Sequence, residues 1–136
     1  MVDRISEERR SWNMSRIRSK NTAPELAVRK KLYNSGIRYR LHVKGLPGKP
    51  DLSNKKKRFT VFVNGCFWHQ HPGCKRAAMP QSNRKYWMSK FGTNVKRLNE
   101  NINKLEDSGY NVFVIWECEV QYQLKLNDLI TNITRL

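Results

Sequence analysis

Val61-Phe62-Val63-Asn64-Gly65-Cys66-Phe67-Trp68-His69-Gln70-His71-Pro72-Gly73-Cys74 decides how this 136-residue chain is read. Its opening residues close an apolar, β-type run over 59–63, which predicts a central strand. Asn64-Gly65 stops the run. Directly behind it stand two of the three cysteines, two of the three histidines and an adjacent Phe-Trp pair. Soft metal ligands, a titratable imidazole and stacking rings in one loop point to a built site, with the strand as its rigid platform.

Upstream, Asn54 to Arg58 reads as a basic hairpin turn, and Gly45-Leu46-Pro47-Gly48-Lys49-Pro50 as a rigid turn leading into Asp51-Leu52. Ile37, Tyr39 and Leu41 alternate with Arg38, Arg40 and His42, the period of a half-buried strand. Asn21-Thr22-Ala23-Pro24-Glu25 is a helix start, with a capping residue, an early proline and a first-turn acid. Leu26, Val28 and Leu32 give that helix apolar surface, and Gly36 ends it. Residues 6–19 are polar and basic with a thin apolar edge of Trp12, Met14 and Ile17. The chain therefore divides into an N-terminal arm or helix over 1–20 and one domain over 21–136.

Downstream, residues 64–82 form a long loop, followed by a helix from about Asn83 to Ser108, closed by Gly109. Val95, Leu98, Ile102 and Leu105 recur at three and four residues, so one face is buried; Gly92 is a candidate kink. Val112 to Trp116 reads as a second buried strand and Leu124 to Leu136 as a closing helix. The order helix, strand, strand, loop, helix, strand, helix predicts an α/β fold, a mixed sheet flanked by helices.

The formal charge is +16, from 27 Lys+Arg against 11 Asp+Glu, and it is uneven. Residues 1–58 carry 17 basic and 5 acidic side chains; from Lys75 to Lys104 eight basic residues face only Glu100. Such a field favours a polyanion, with nucleic acid the leading partner and a solubility charge the bland alternative. No stretch pairs a strong apolar face with a basic one, so no membrane partner is expected. Nor is there an apolar signal core or a run long enough to span a bilayer, so a cytoplasmic protein with reduced cysteines is expected.

Cys66, His71 and Cys74 read C-x4-H-x2-C, with His69 the other candidate histidine, and Cys118 beyond the second strand is a candidate fourth ligand for a tetrahedral zinc. The competing reading is two buried cysteines and a surface histidine. A fully ligated zinc keeps no open position and is structural. Asp51, at a strand start, suits Mg²⁺, a hard cation, or is an exposed strand-end aspartate. The next strand lacks the E-x-K pattern of many Mg²⁺ nucleases. His69 is a candidate general base. Phe67, Trp68 and Trp87 are either core or rings that stack on bases. Glu25 is a candidate acid, or only a favourable charge at a helix N-terminus. His42 shows no motif and reads as a strand histidine.

Six segments, spread in order over nearly the whole chain, resemble the very-short-patch repair (Vsr) DNA mismatch endonucleases. They are Asn13-Met14-Ser15-Arg16-Ile17, Asn21-Thr22-Ala23-Pro24-Glu25, Leu46-Pro47-Gly48-Lys49-Pro50-Asp51, Gly65-Cys66-Phe67-Trp68-His69, Tyr86-Trp87 and Trp116-Glu117-Cys118. The resemblance implies a restriction-endonuclease-like fold with a structural zinc. It implies a Mg²⁺-dependent enzyme that nicks DNA 5′ of the thymine in T:G mismatches left by 5-methylcytosine deamination. It further implies a nucleoid-associated monomer working with mismatch-repair factors.

Under that resemblance Asp51 and the Val63 carbonyl hold Mg²⁺, His69 is the base or water-positioning group, and Glu25 is a supporting acid. Cys66, His71, Cys74 and Cys118 hold zinc. Phe67, Trp68 and Trp87 wedge into the stack beside the mismatch, while Met14 and Ile17 approach from the other groove. Two positions depart from the family pattern. Leu98 stands where many members carry aspartate, and Asn64 where members often have His or Asp. A non-catalytic zinc-stabilised DNA-binding domain, or an RNA-binding module, also fits the charge and rings.

Overall fold

The computed structural model describes residues 21–136; the N-terminal arm, with Met14 and Ile17, lies outside the described residues. Helix α1 (Ala23–Asn34) starts where expected. The Thr22 hydroxyl accepts from the Glu25 N–H, Pro24 occupies the first turn, and Gly36 follows the end at φ +86°. Glu25, Val28 and Leu32 are its buried residues, spaced to lie along one side.

Three short strands follow: β1 (Arg40–Leu41), β2 (Leu52–Asn54) and β3 (Phe59–Asn64), each antiparallel to the next. Helix α2 (Arg84–Asp107) then crosses over to β4 (Asn111–Trp116), which runs parallel to β3. Helices α3 (Glu117–Val120) and α4 (Gln123–Thr134) complete the chain. The four-stranded sheet is mixed, in the order β1-β2-β3-β4. The predicted α/β architecture is thus the observed one.

Strand β3 is buried on both faces, which explains an apolar run interrupted only by the buried Thr60. On one face Phe59 and Val61 pack with Val28, Leu32, Leu52, Leu126, Leu129 and Ile133, a core closed by α1 and α4. On the other, Phe62 packs with Leu105 and Tyr110, covered by Leu98 and Ile102 of α2.

Several expectations are corrected. The strand over Ile37–Leu41 shrinks to a two-residue exposed edge, because Ile37 turns into the core beside Leu32 instead of joining the ladder. Helix α2 runs unbroken through Gly92, and its buried line is Trp87, Phe91 and Leu105 with Leu98 partly covered. Val95 sits off that line and is 37% exposed. Residues 117–120, which sequence left unassigned, form the helical turn α3 that carries Cys118.

Candidate functional site

The parallel register sets the first cluster. Asn64 of β3 pairs with Trp116 of β4. Cys66 and Cys118 each lie two residues beyond that pair, so the chain leaves the sheet twice at one place with a thiol. The loop after β3 then folds back on itself. His71 N–H bonds the Cys66 carbonyl at 3.0 Å, Gly73 turns at φ +73°, and Cys74 N–H bonds the His71 carbonyl at 3.2 Å. His71 Nδ1 comes 3.7 Å from Cys66 Sγ and 3.4 Å from Cys118 Sγ. All four ligand atoms of Cys66, His71, Cys74 and Cys118 lie within 4.8 Å of one another, a group able to hold a metal ion.

The His71 ring stacks on Trp116 at 4.2 Å, nearly parallel, which fixes its orientation. Cys66 is fully buried, and burial pushes its thiol up to about 12 in the metal-free protein. Burial likewise raises Cys118, while the Arg76 backbone N–H lowers Cys74. A protein without a cation at this cluster therefore holds the buried sulfurs as thiols.

A cleft of about 540 Å³ opens at the C-terminal end of β3. Asp51, Val63, Asn64, Phe67, Trp68 and His69 line it with Glu25 of α1. The β2–β3 hairpin delivers Asp51, whose Oδ2 accepts the Val63 N–H at 2.7 Å. Burial raises the Asp51 pKa above the usual aspartate range, an effect opposed by the Val63 bond and by His42. Burial also lowers His69, keeping its imidazole neutral further into the acid range than an exposed histidine. Its Nδ1 and the Asn64 Nδ2 are buried without a hydrogen-bond partner among the described residues.

Asp51 belongs to a second cluster that can hold a metal ion, with Glu25 and His42. His42 is the main residue that sequence reasoning passed over. Its one available signal was its place on the strand leading to the turn before Asp51, and a hairpin of that length returns it beside the aspartate. Lys90, Asn94 and Glu117 also line the cleft without having been singled out by side chain. Asn94 donates to the Trp68 carbonyl at 3.0 Å, and Glu117 accepts the Cys66 N–H at 3.0 Å. Glu117 thus joins the four-ligand cluster to the cleft wall.

The aromatic residues form one assembly. Phe67 makes edge-on contacts with Trp68, Trp87 and Phe91, at centroid separations of 5.2, 5.4 and 5.0 Å. Phe67 and Trp68 are half-buried and line the cleft, whereas Trp87 is only 7% exposed and backs them. At Gly65 an added Cβ would sit 3.2 Å from the Trp68 ring, so the glycine leaves that indole its place. No helix among the described residues is long and apolar enough to cross a membrane.

Known proteins resemble this chain over most of its length. A protein-family model described as DNA mismatch endonuclease Vsr matches residues 2–76. The type II nicking enzyme V.XorIIP of Xanthomonas oryzae pv. oryzae is 44% identical over 133 residues, covering 98% of this chain and 97% of its own. The type II nicking enzyme V.NmeAIP of Neisseria meningitidis is 38% identical over 135 residues, 99% of this chain and 96% of its own. The DNA mismatch endonuclease Vsr of Escherichia coli is 34% identical over 128 residues, 94% and 81%.

Proposed function

Because this chain belongs to the Vsr DNA mismatch endonuclease family, we propose that it nicks duplex DNA on the 5′ side of the thymine in a T:G mismatch, by Mg²⁺-dependent phosphodiester hydrolysis. One observation carries this reading: Glu25, Asp51, Val63 and His69 share a single cleft with the half-buried rings Phe67 and Trp68. A carboxylate, a neutral imidazole and stacking surface then meet in one cleft.

The donor set fits the cation. Asp51 ties one oxygen to Val63 and leaves the other toward the cleft residues, an all-oxygen arrangement with the Val63 carbonyl that suits Mg²⁺. When bound, Mg²⁺ neutralises phosphate charge and activates water. His69 takes or steers the water's proton, which its burial-lowered pKa permits near neutrality. Glu25 supports the carboxylate side of the cleft. Asn64 supplies an amide where relatives often carry an ionisable group, so proton transfer rests on His69. Leu98, on the sheet-facing side of α2, packs partly buried against the Phe62–Leu105–Tyr110 cluster and takes a packing role instead of a charged one.

The Cys66, His71, Cys74 and Cys118 cluster fits zinc. A tetrahedral site with Zn–S and Zn–N bonds near 2.3 and 2.1 Å has edges of about 3.6–3.8 Å. The two closest Cys–His separations, 3.7 and 3.4 Å, are near that edge. Four protein ligands would close the site, so a zinc held there would brace the loop that presents Phe67, Trp68 and His69.

Mismatch selection comes from insertion of Phe67 and Trp68, backed by Trp87, because unstacking a mispair costs less than unstacking a Watson–Crick pair. Met14 and Ile17 meet the duplex from the opposite groove. The basic surface contributes sequence-blind affinity. The protein acts as a monomer at the nucleoid, in the cytoplasm, alongside mismatch-repair factors. Nicking of end-labelled T:G, T:A and RNA duplexes, with Mg²⁺ or EDTA, tests the reading. Cleavage confined to T:G with Mg²⁺ supports it; tight duplex binding without cleavage supports the non-catalytic zinc-stabilised DNA-binding domain instead.

A further inference from the structure

His42 stands between two acidic residues of the cleft. Its Nε2 lies 3.2 Å from Glu25 Oε1, 3.1 Å from Glu25 Oε2 and 3.9 Å from Asp51 Oδ1. Its main-chain N–H also bonds the Asp51 carbonyl at 3.3 Å. Glu25 is 1% exposed, and both its oxygens are already engaged by other donors. Oε1 accepts the Asn21 N–H at 3.2 Å, and Oε2 accepts from the Arg29 guanidinium. A carboxylate paired with a permanently charged guanidinium is an acceptor. The His42 nitrogen facing it therefore carries the hydrogen and donates. A ring nitrogen that donates has no lone pair left for a metal ion.

We infer that His42 is a positioning residue, linking the Arg29–Glu25 pair to Asp51 so that the Asp51 carboxylate is held ready for the cation, and that Glu25 acts through His42 instead of as a metal ligand. The inference rests on the Mg²⁺ reading of the cleft given above. At 3.9 Å the imidazole does not hydrogen-bond the Asp51 carboxylate; it anchors on Glu25 while its own main-chain N–H holds the Asp51 carbonyl, and loss of such supporting partners of a metal ligand typically weakens metal affinity about 10–100-fold.

The test is binding of Mn²⁺, read by electron paramagnetic resonance, and of Mg²⁺, read by calorimetry. Both use DNA-free full-length protein whose zinc content and circular dichroism match wild type. His42→Ala is expected to weaken both ions by about 10–100-fold. His42→Gln, whose side-chain amide can donate from the same place, is expected to stay close to wild type. Raising Mg²⁺ should restore most of the nicking rate of His42→Ala, because its defect lies in filling the site. His42→Asn, too short to reach Glu25, serves as the loss-of-contact variant if the alanine variant does not fold. Unchanged affinity in His42→Ala, with binding abolished in Asp51→Asn, overturns the inference and leaves the cleft reading standing. Equal loss in the Gln and Ala variants makes the imidazole itself a ligand and also overturns it. Full binding in Asp51→Asn overturns the cleft reading, and this inference with it.

Discussion

The Val63 N–H donates to Asp51 Oδ2 at 2.7 Å, joining the residue just before β2 to one on β3 of the same hairpin. The bond holds the carboxylate against the sheet and leaves one oxygen for chemistry. Asp51→Asn keeps an acceptor for Val63 and should fold normally while losing Mg²⁺-dependent nicking. Its stability carries a signed expectation. Burial raises the Asp51 pKa in the folded protein, so the folded state binds the proton more tightly than the unfolded chain. Its contribution to stability is therefore best at acid pH and falls as pH rises above the ordinary aspartate value of about 3.9. In EDTA, melting of wild type and Asp51→Asn from pH 4 to 7 should show the variant gaining on wild type toward neutrality. Parallel curves would remove the buried-charge argument.

His69 should reveal itself in the chemical step. His69→Ala is expected to slow nicking by about 10²–10⁴-fold at saturating DNA. Wild-type activity should persist below the ordinary imidazole value of about 6.5, because burial lowers the His69 pKa and keeps the base neutral there. Single-turnover rates across pH 5 to 8 measure this. An acid limb centred above 6.5, or a variant impaired only in affinity, makes His69 a DNA contact.

Purified protein should carry one tightly held zinc per chain. Cys66→Ser and Cys118→Ser should lose it and unfold or aggregate, since metal binding and folding are coupled. Elemental analysis of protein prepared without added metal decides the matter. Zinc-free protein whose three thiols all react in the native state would leave only buried cysteines.

Phe67→Ala and Trp68→Ala should weaken binding to T:G duplex more than to matched duplex. Base–aromatic stacking is worth roughly 1–3 kcal/mol, so about a tenfold or greater loss of discrimination is expected. Lys56→Ala, an exposed cation of the β2–β3 turn, should weaken both duplexes alike and reduce the salt slope by about one unit. Affinities over a salt series separate the two behaviours. Equal losses on both duplexes for the ring variants would mark them as general contacts.

What sequence made legible follows from where information lies along the chain. Strand β3 and the Cys66–Cys74 cluster are contiguous, so period and spacing expose them directly. Cys118 needed only the guess that β3 and β4 are neighbours, which their parallel pairing satisfies. His42 was hard to read because its partners Glu25 and Asp51 lie 17 and 9 positions away, and only the turn leading back to Asp51 hinted at such a meeting. Val95 misled because three- and four-residue spacings fit two adjacent helix faces. The tie-breaker was Phe91, one heptad before Leu98 and two before Leu105, and only packing against the sheet selects that line.

Phe67 sits at the hub of three edge-on ring contacts, with the Trp68 carbonyl pinned by Asn94. If these rings insert into DNA as proposed, a wedge assembled beforehand has little rotamer freedom left to lose on insertion. Differences between duplexes then originate in the duplexes. On the proposed reading the protein would act as a gauge of helical softness, and any mispair that opens as readily as T:G should register on it at this stage. Warming, which loosens matched pairs as well, should narrow the gap between cognate and non-cognate DNA even while the protein itself stays fully folded.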